Sequence, residues 1–415
     1  MRRTSKSTSH KLSADSQRLV TFAEAIVQAA SRLEERAWER ALDAQLQKLL
    51  KGSHQDAIDA ALDQLFKVES GAYDALMESV EAASESCVVT HDGVQYEALL
   101  IAAPILAWTR FSIASGAIPA DLLLTLGTHL NAHLLAPGAR LAMTPTLFAI
   151  DQLPRTHAET LSALQHMAQA ALKGSALRAP ANPPQTAPFL ADTRYLMAAV
   201  VAPAGEPLFR WQASMNPRER DDALIQWKTQ AMPSIVRLLP GCGIELLMPE
   251  AYFMACREAD KQIRPASIRA AVHYLTHTLG VEANALRAII GSFGNEADGR
   301  VDEYRVGFTL TQKSEVLYGI VWPLYGPEDE EPTGAAAIMT MLESSPAPAS
   351  SNTTSISEIF SLLQECGVID LLRHSERFPM EFCEDCGAPM FADADGELVH
   401  AEMPEDVPQG SEHFH

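Results

Sequence analysis

The chain has 415 residues, 47% of them hydrophobic and 20% charged, an ordinary globular balance with enough apolar mass for a large core in more than one lobe. Its net charge of −21 argues against general nucleic-acid binding, which depends on Lys and Arg neutralising phosphates. No stretch offers the roughly 18–20 consecutive apolar residues that span a bilayer. Six cysteines are too few for a disulfide framework, and the basic start runs into polar residues rather than an apolar signal core, so the expected location is the cytoplasm, off the membrane.

Residues 1–12, with Arg2, Arg3, Lys6 and Lys11 among serines and threonines, read as a disordered tail. Residues 13–86 predict a helical region in three pieces. Leu19, Phe22, Ala23 and Ile26 recur at three- and four-residue steps after Ser13, a candidate N-cap, and Trp38, Leu42, Leu46 and Leu49 continue the stripe to Gly52. Ile58, Leu62 and Leu65 mark the second piece, Tyr73, Leu76 and Val80 the third. Short breaks favour antiparallel neighbours.

Residues 87–192 open on a hairpin, because His91-Asp92-Gly93 between apolar runs supplies the positive φ of a tight turn. A strand–helix–strand–helix unit follows, and a second copy occupies 193–343. The apolar run Leu99 to Ile105 matches Leu196 to Pro203, and the helical run Ala120 to Leu135 matches Arg220 to Leu239. Pro137-Gly138 matches Pro240-Gly241. The closing strands, Arg140 to Ile150 and Ile244 to Met254, each carry a proline, and a helix ends each copy. Thr156 and Glu159 form a capping box for the first closing helix; the second is expected from Ala266, after Pro265, to Gly280. Ala285 to Phe293, Glu303 to Leu310 and Val316 to Tyr325 predict an antiparallel meander extending the sheet edge. The acidic run 328–331 reads as a solvated loop, 344–357 as a linker, and 358–402 as a helix reaching Leu371 with a compact knuckle; 403–415 is a second tail. The expected fold class is therefore α/β: a duplicated β-α-β-α core with an antiparallel extension, an N-terminal helical region and a small zinc-ribbon-like C-terminal knuckle.

Chemistry concentrates in that knuckle. Cys383 and Cys386, two residues apart and followed by Gly387, can point at one ion, and the turn Asp393-Ala394-Asp395-Gly396 brings His400 back toward them. Structural zinc takes four such nitrogen and sulfur ligands; Glu402 or His413 is the candidate fourth. A redox dithiol and an unliganded pair are the alternatives, the former disfavoured because Gly387-Ala388-Pro389 blocks the helix that such motifs open. His129 and His133, and His273 and His277, stand one helical turn apart, but no glutamate follows His129 as in a zincin, so both pairs read as surface or packed histidines. Cys87, Cys242, Cys256 and Cys366 read as buried thiols. Pro240 to Gly243 and Gly291 to Gly294 read as turns rather than phosphate cradles, and no G-x-S-x-G elbow is present.

Ser31-Arg32-Leu33-Glu34-Glu35-Arg36, Ala103 to Trp108, Ile150 to Glu159 and the CxxCG segment from Phe378 through Glu402 resemble a family of beta-proteobacterial proteins known as a domain of unknown function. The likeness extends over nearly the whole chain outside the tails and the serine-rich linker. It implies a bacterial cytoplasmic protein and brings no activity, cofactor or catalytic residue with it. The expected function is a non-enzymatic interaction or regulatory protein, with an unknown protein or small-molecule partner and a structural zinc ion. The alternative is an enzyme or small-molecule binder working in a cleft between the copies, near Asp151, Arg155, Arg257 and Glu258.

Overall fold

The computed structural model describes residues 12–180, 186, 189–294, 301–311, 313–325 and 354–403. The first tail up to residue 11, the acidic run 328–331, the linker through 353 and the second tail from 404, with His413, lie outside the described residues.

Among the described residues the N-terminal region has four helices rather than three: α1 (Ala14–Val27), α2 (Arg32–Lys51), α3 (Gln55–Val68) and α4 (Ser70–Glu85). The expected single stripe breaks at Ser31. Its hydroxyl accepts the Glu34 N–H at 3.2 Å, while the Glu34 carboxylate accepts the Ala30 N–H at 3.0 Å, so α2 has its own capped start. Leu19, Leu42, Leu46, Ile58 and Leu76 meet in the bundle core.

The hairpin forms as expected: β1 (Ser86–His91) pairs with β2 (Val94–Trp108) across Asp92 and Gly93, at φ 49° and 78°. Then come β3 (Gly116–Ala117), α5 (Ala120–His133), β4 (Arg140–Ala149), a 3₁₀ turn, α6 (His157–Lys173), β5 (Ala191–Pro203), the short α7 (Arg210–Ala213), α8 (Glu219–Leu238), β6 (Gly243–Leu246), β7 (Glu250–Ala251) and α9 (Tyr252–Leu279). Thr156 and Glu159 make the expected capping box of α6.

The first sheet runs β1-β2-β5-β4-β3, with β6 and β7 also on β2, and every described ladder in it is antiparallel. Both faces are covered. Leu196, Ala198 and Val200 of β5 turn toward α5 and α8; Tyr195, Met197 and Ala199 turn toward α6 and the start of α9. Burial on both sides explains why β2 and β5 read as unbroken apolar runs rather than as alternation.

Two expectations fail around α9. The strand foreseen from Ile244 to Met254 shrinks to β6 and β7, because the helix begins at Tyr252 instead of Ala266. Pro265 lies inside that helix. A proline frees the carbonyl four residues earlier, and here Arg264 Nε donates to that Lys261 carbonyl at 3.1 Å, so the helix continues.

The meander does not extend the first sheet. β8 (Leu286–Phe293), β9 (Glu303–Leu310) and β10 (Tyr318–Pro323) form a second sheet in the order β10-β9-β8-β11. Strand β11 (Asp370–Phe378) lies parallel to β8, after α10 (Ser355–Glu365) crosses over. Leu371 thus belongs to a strand rather than to the last helix, and α10 begins inside the expected linker, capped by Thr354. Ile268, Val272 and Leu275 of α9 pack with Ile359 and Leu363 of α10 on one face of this sheet. Helix α9 therefore joins both sheets. The whole is a mixed α/β protein with an N-terminal helical bundle, and no helix among the described residues is long and apolar enough to cross a membrane.

Candidate metal centre

The knuckle is mounted on the open face of the second sheet. After β11 the Cys383 N–H donates to the Ala388 carbonyl at 2.7 Å and the Gly387 N–H to the Cys383 carbonyl at 2.8 Å, closing a tight turn. Gly387 sits at φ 74°, the left-handed region in which glycine is unstrained. The Cys386 N–H, then the Asp385 N–H and the Cys386 thiol, face the Cys383 sulfur and hold its pKa below the usual thiol range.

The next segment is a hairpin, β12 (Phe391–Ala392) with β13 (Leu398–Val399). Asp393 Oδ1 accepts the N–H groups of Asp395 and Glu397, each at 2.9 Å, and Gly396 turns at φ 87°. This turn returns the chain so that His400 Nε2 lies 3.2 Å from Cys386 Sγ. One ligand atom from each of Cys383, Cys386 and His400 lies within 4.8 Å of the other two. Around tetrahedral zinc, Zn–S near 2.3 Å and Zn–N near 2.0–2.1 Å imply S···S of about 3.8 Å and S···N of about 3.6 Å. Cys386 and His400 stand near the S···N value at 3.2 Å and all three atoms fall within 4.8 Å, so the donor set and its convergence suit such an ion.

Two further features fix the knuckle. Gly319 of β10 passes so close to Phe391 that a Cβ there would lie 2.3 Å from the ring. Arg305 of β9, its side chain fully buried, pairs with Glu303 at 2.6 Å. Its Nη1 donates to the carbonyls of Glu381 and Met390, at 2.7 and 2.6 Å, on the two sides of the cysteine turn. The guanidinium lies between the Phe293 and Phe382 rings, 4.3 and 5.1 Å from their centroids. Sequence reasoning missed Arg305. The available signal was Glu303 two positions earlier on the same strand face, a charge pair within an otherwise apolar strand.

The proposed fourth ligands divide. Glu402 does not join the trio; its backbone N–H donates to the Val316 carbonyl at 2.9 Å. His413 lies outside the described residues. A cavity of about 470 Å³ adjoins the trio, lined by Cys386, His400, Glu402 and the apolar side chains of Leu317, Ile320 and Phe391.

The other candidates do not converge. His129 with His133 and His273 with His277 stack ring on ring, and neither pair gains a third ligand among the described residues. Arg257 is an ion-pair partner of Glu81 on α4, and the Glu258 carboxylate accepts from Gln262. Asp151 and Arg155 make no ion pair with each other, but both line a cavity of about 430 Å³ between β4 and α6, with Thr146, His166 and Arg178. The cysteines outside the knuckle are free and partly buried; burial pushes Cys87 up to about 11 and Cys256 up to about 12. Gly291 to Phe293 belong to β8 rather than to a turn, and Gly291 leaves room there for the Phe378 ring.

Fold and site together define a mixed α/β protein that carries a sheet-mounted Cys-Cys-His knuckle. Its sequence matches, over residues 4–414, the family described as a protein of unknown function (DUF2863), and the chain belongs to that family. No curated protein and no solved structure matches it.

Proposed function

We propose that Cys383, Cys386 and His400 bind a zinc ion that locks the C-terminal knuckle onto the second sheet, in a cytoplasmic protein with a regulatory or interaction role rather than an enzymatic one. The observation that carries this is the convergence within 4.8 Å of three zinc-type ligands from two separate turns. Thiolates and imidazole select zinc over magnesium or calcium. Metal analysis of the purified full-length chain tests it: about one zinc per chain is expected, lost in Cys383→Ser together with thermal stability. A metal-free protein whose stability is unchanged by that substitution sinks the reading.

A second reading, a small-molecule binder or enzyme, is favoured by the cavity at Asp151 and Arg155. The Thr146 hydroxyl, 2% exposed, faces no hydrogen-bond partner there, and a buried polar atom without a partner is costly. A thermal-shift screen of metabolite classes discriminates, since a ligand at 100 times its Kd adds about 2.7 kcal/mol; no shift with any class removes this reading.

We also read the first sheet as two copies of one unit, β2-α5-β4-α6 and β5-α8-β6-α9. In support, β2 and β5 pair antiparallel from Tyr96↔Pro203 to Trp108↔Ala191, β4 flanks β5 as β6 flanks β2, and the helices fall two on each face. A crystal structure whose halves fail to superpose strand on strand ends that reading.

A further inference from the structure

We infer that the zinc keeps its fourth position for a small molecule seated in the adjoining cavity, one that presents a neutral nitrogen donor on an apolar body. The inference rests on the zinc reading above. Zinc with three protein ligands holds a water or a substrate in the fourth position, and among the described residues no fourth side chain joins the trio. Cys386 and His400 belong to the trio and to the wall of the cavity at once. A donor reaching the ion from that side therefore places the rest of its molecule in the cavity, whose volume of about 470 Å³ falls in the range of small-molecule sites.

The lining defines the chemistry. Leu190, Leu317, Ile320 and Phe391 give the cavity an apolar wall, and Ser267 and Tyr274 add hydroxyls from α9. Among the described residues no Lys or Arg lines it, and Glu402 is the one acidic residue that does. Zinc with two thiolates and a neutral imidazole carries no net charge. A carboxylate, a phosphate or a third thiolate would then face Glu402 with no cation to offset it. A neutral imidazole- or pyridine-type nitrogen meets no such opposition and suits zinc. The walls are preformed, since Phe391 is buried against Gly319 and Gly307.

The full-length chain loaded with Co²⁺ tests this, because the visible bands of cobalt report its donor set. Addition of 4-phenylimidazole should shift the bands saturably and at least tenfold more tightly than imidazole, because its phenyl group leaves water for the apolar wall. Phenylacetate should leave them unchanged. Ser267→Trp, on the α9 wall of the cavity and not one of the three ligands, should abolish the response while one metal per chain remains. Phe189, another residue of the apolar wall, is the second site: Phe189→Ala should weaken 4-phenylimidazole and leave imidazole as it was. A cobalt spectrum of four protein ligands, His413 among them, that no probe alters would overturn the inference and leave the zinc reading standing. Equal affinity for imidazole and 4-phenylimidazole, insensitive to both variants, would overturn it too, and tight phenylacetate binding would refute the ligand class. A chain that takes up no metal removes both readings.

Discussion

Replacing Arg305 by Met should loosen the knuckle without touching a metal ligand. The change leaves Glu303, whose side chain is 13% exposed, as a charge without its partner, and removes the donor shared by the Glu381 and Met390 carbonyls. Breaking a buried pair on one side costs about 3–5 kcal/mol, and the Met390 carbonyl left without its donor about 1–3 kcal/mol, while the Glu381 carbonyl keeps the Met390 N–H at 3.1 Å. These losses overlap and do not add, so about 4 kcal/mol is expected, a factor of roughly 10³ in the opening equilibrium at 1.4 kcal/mol per decade. A chain of this length need not unfold in one step, so the readout is local: hydrogen exchange, followed by mass spectrometry, of peptides covering β9 and residues 381–390. Adding Glu303→Gln should restore about 2 kcal/mol by removing the stranded charge, while exchange in the N-terminal bundle stays unchanged. Acceleration of less than tenfold in Arg305→Met, or a double variant no better than the single one, would refute the claim that this guanidinium clamps the knuckle.

Gly319→Ala should cost about 1–3 kcal/mol by overpacking against Phe391, and should lower metal occupancy because the same hairpin carries His400; denaturation midpoints and metal content read both. Arg264→Met removes the guanidinium that donates to the carbonyls of Lys261 and Pro323 and should cost about 2 kcal/mol, seen as faster amide exchange in the middle of α9. Burial holds the His157 pKa below its ordinary 6.5, against the opposing pull of Asp59 and Glu81. The unfolded chain therefore binds this proton more readily, and stability is lost as pH falls from about 6.5 through the lower folded value. His157→Gln should flatten that limb of the curve of denaturation midpoint against pH; a limb of unchanged slope would remove His157 as its source.

Where local chemistry decides the conformation, the sequence was readable. Asp92-Gly93 set the first hairpin, Thr156 and Glu159 started α6, and Cys383 to Gly387 with Asp393 to Gly396 brought His400 to the cysteines. Distant contacts override local pattern elsewhere. Pro265 looks like a helix start until the Arg264 side chain takes up the carbonyl it frees. Strand β11 is a polar edge strand, Asp370 to Phe378, that among the described residues pairs on one side only, so no apolar alternation announces it. For Arg305 the sequence offers only its pairing with Glu303; its role as a clamp is not legible there, because its partners at 381 and 390 are brought to it by the returning chain.

The exchange of neighbours in the first sheet bears on how the chain can be divided. Strand β5 takes β4 from the earlier segment, and β2 takes β6 from the later one. A cut in the connection after α6 would yield two pieces, each missing a strand that the other holds. Expressed apart they should be insoluble or unfolded, and expressed together they should reassemble without a covalent link.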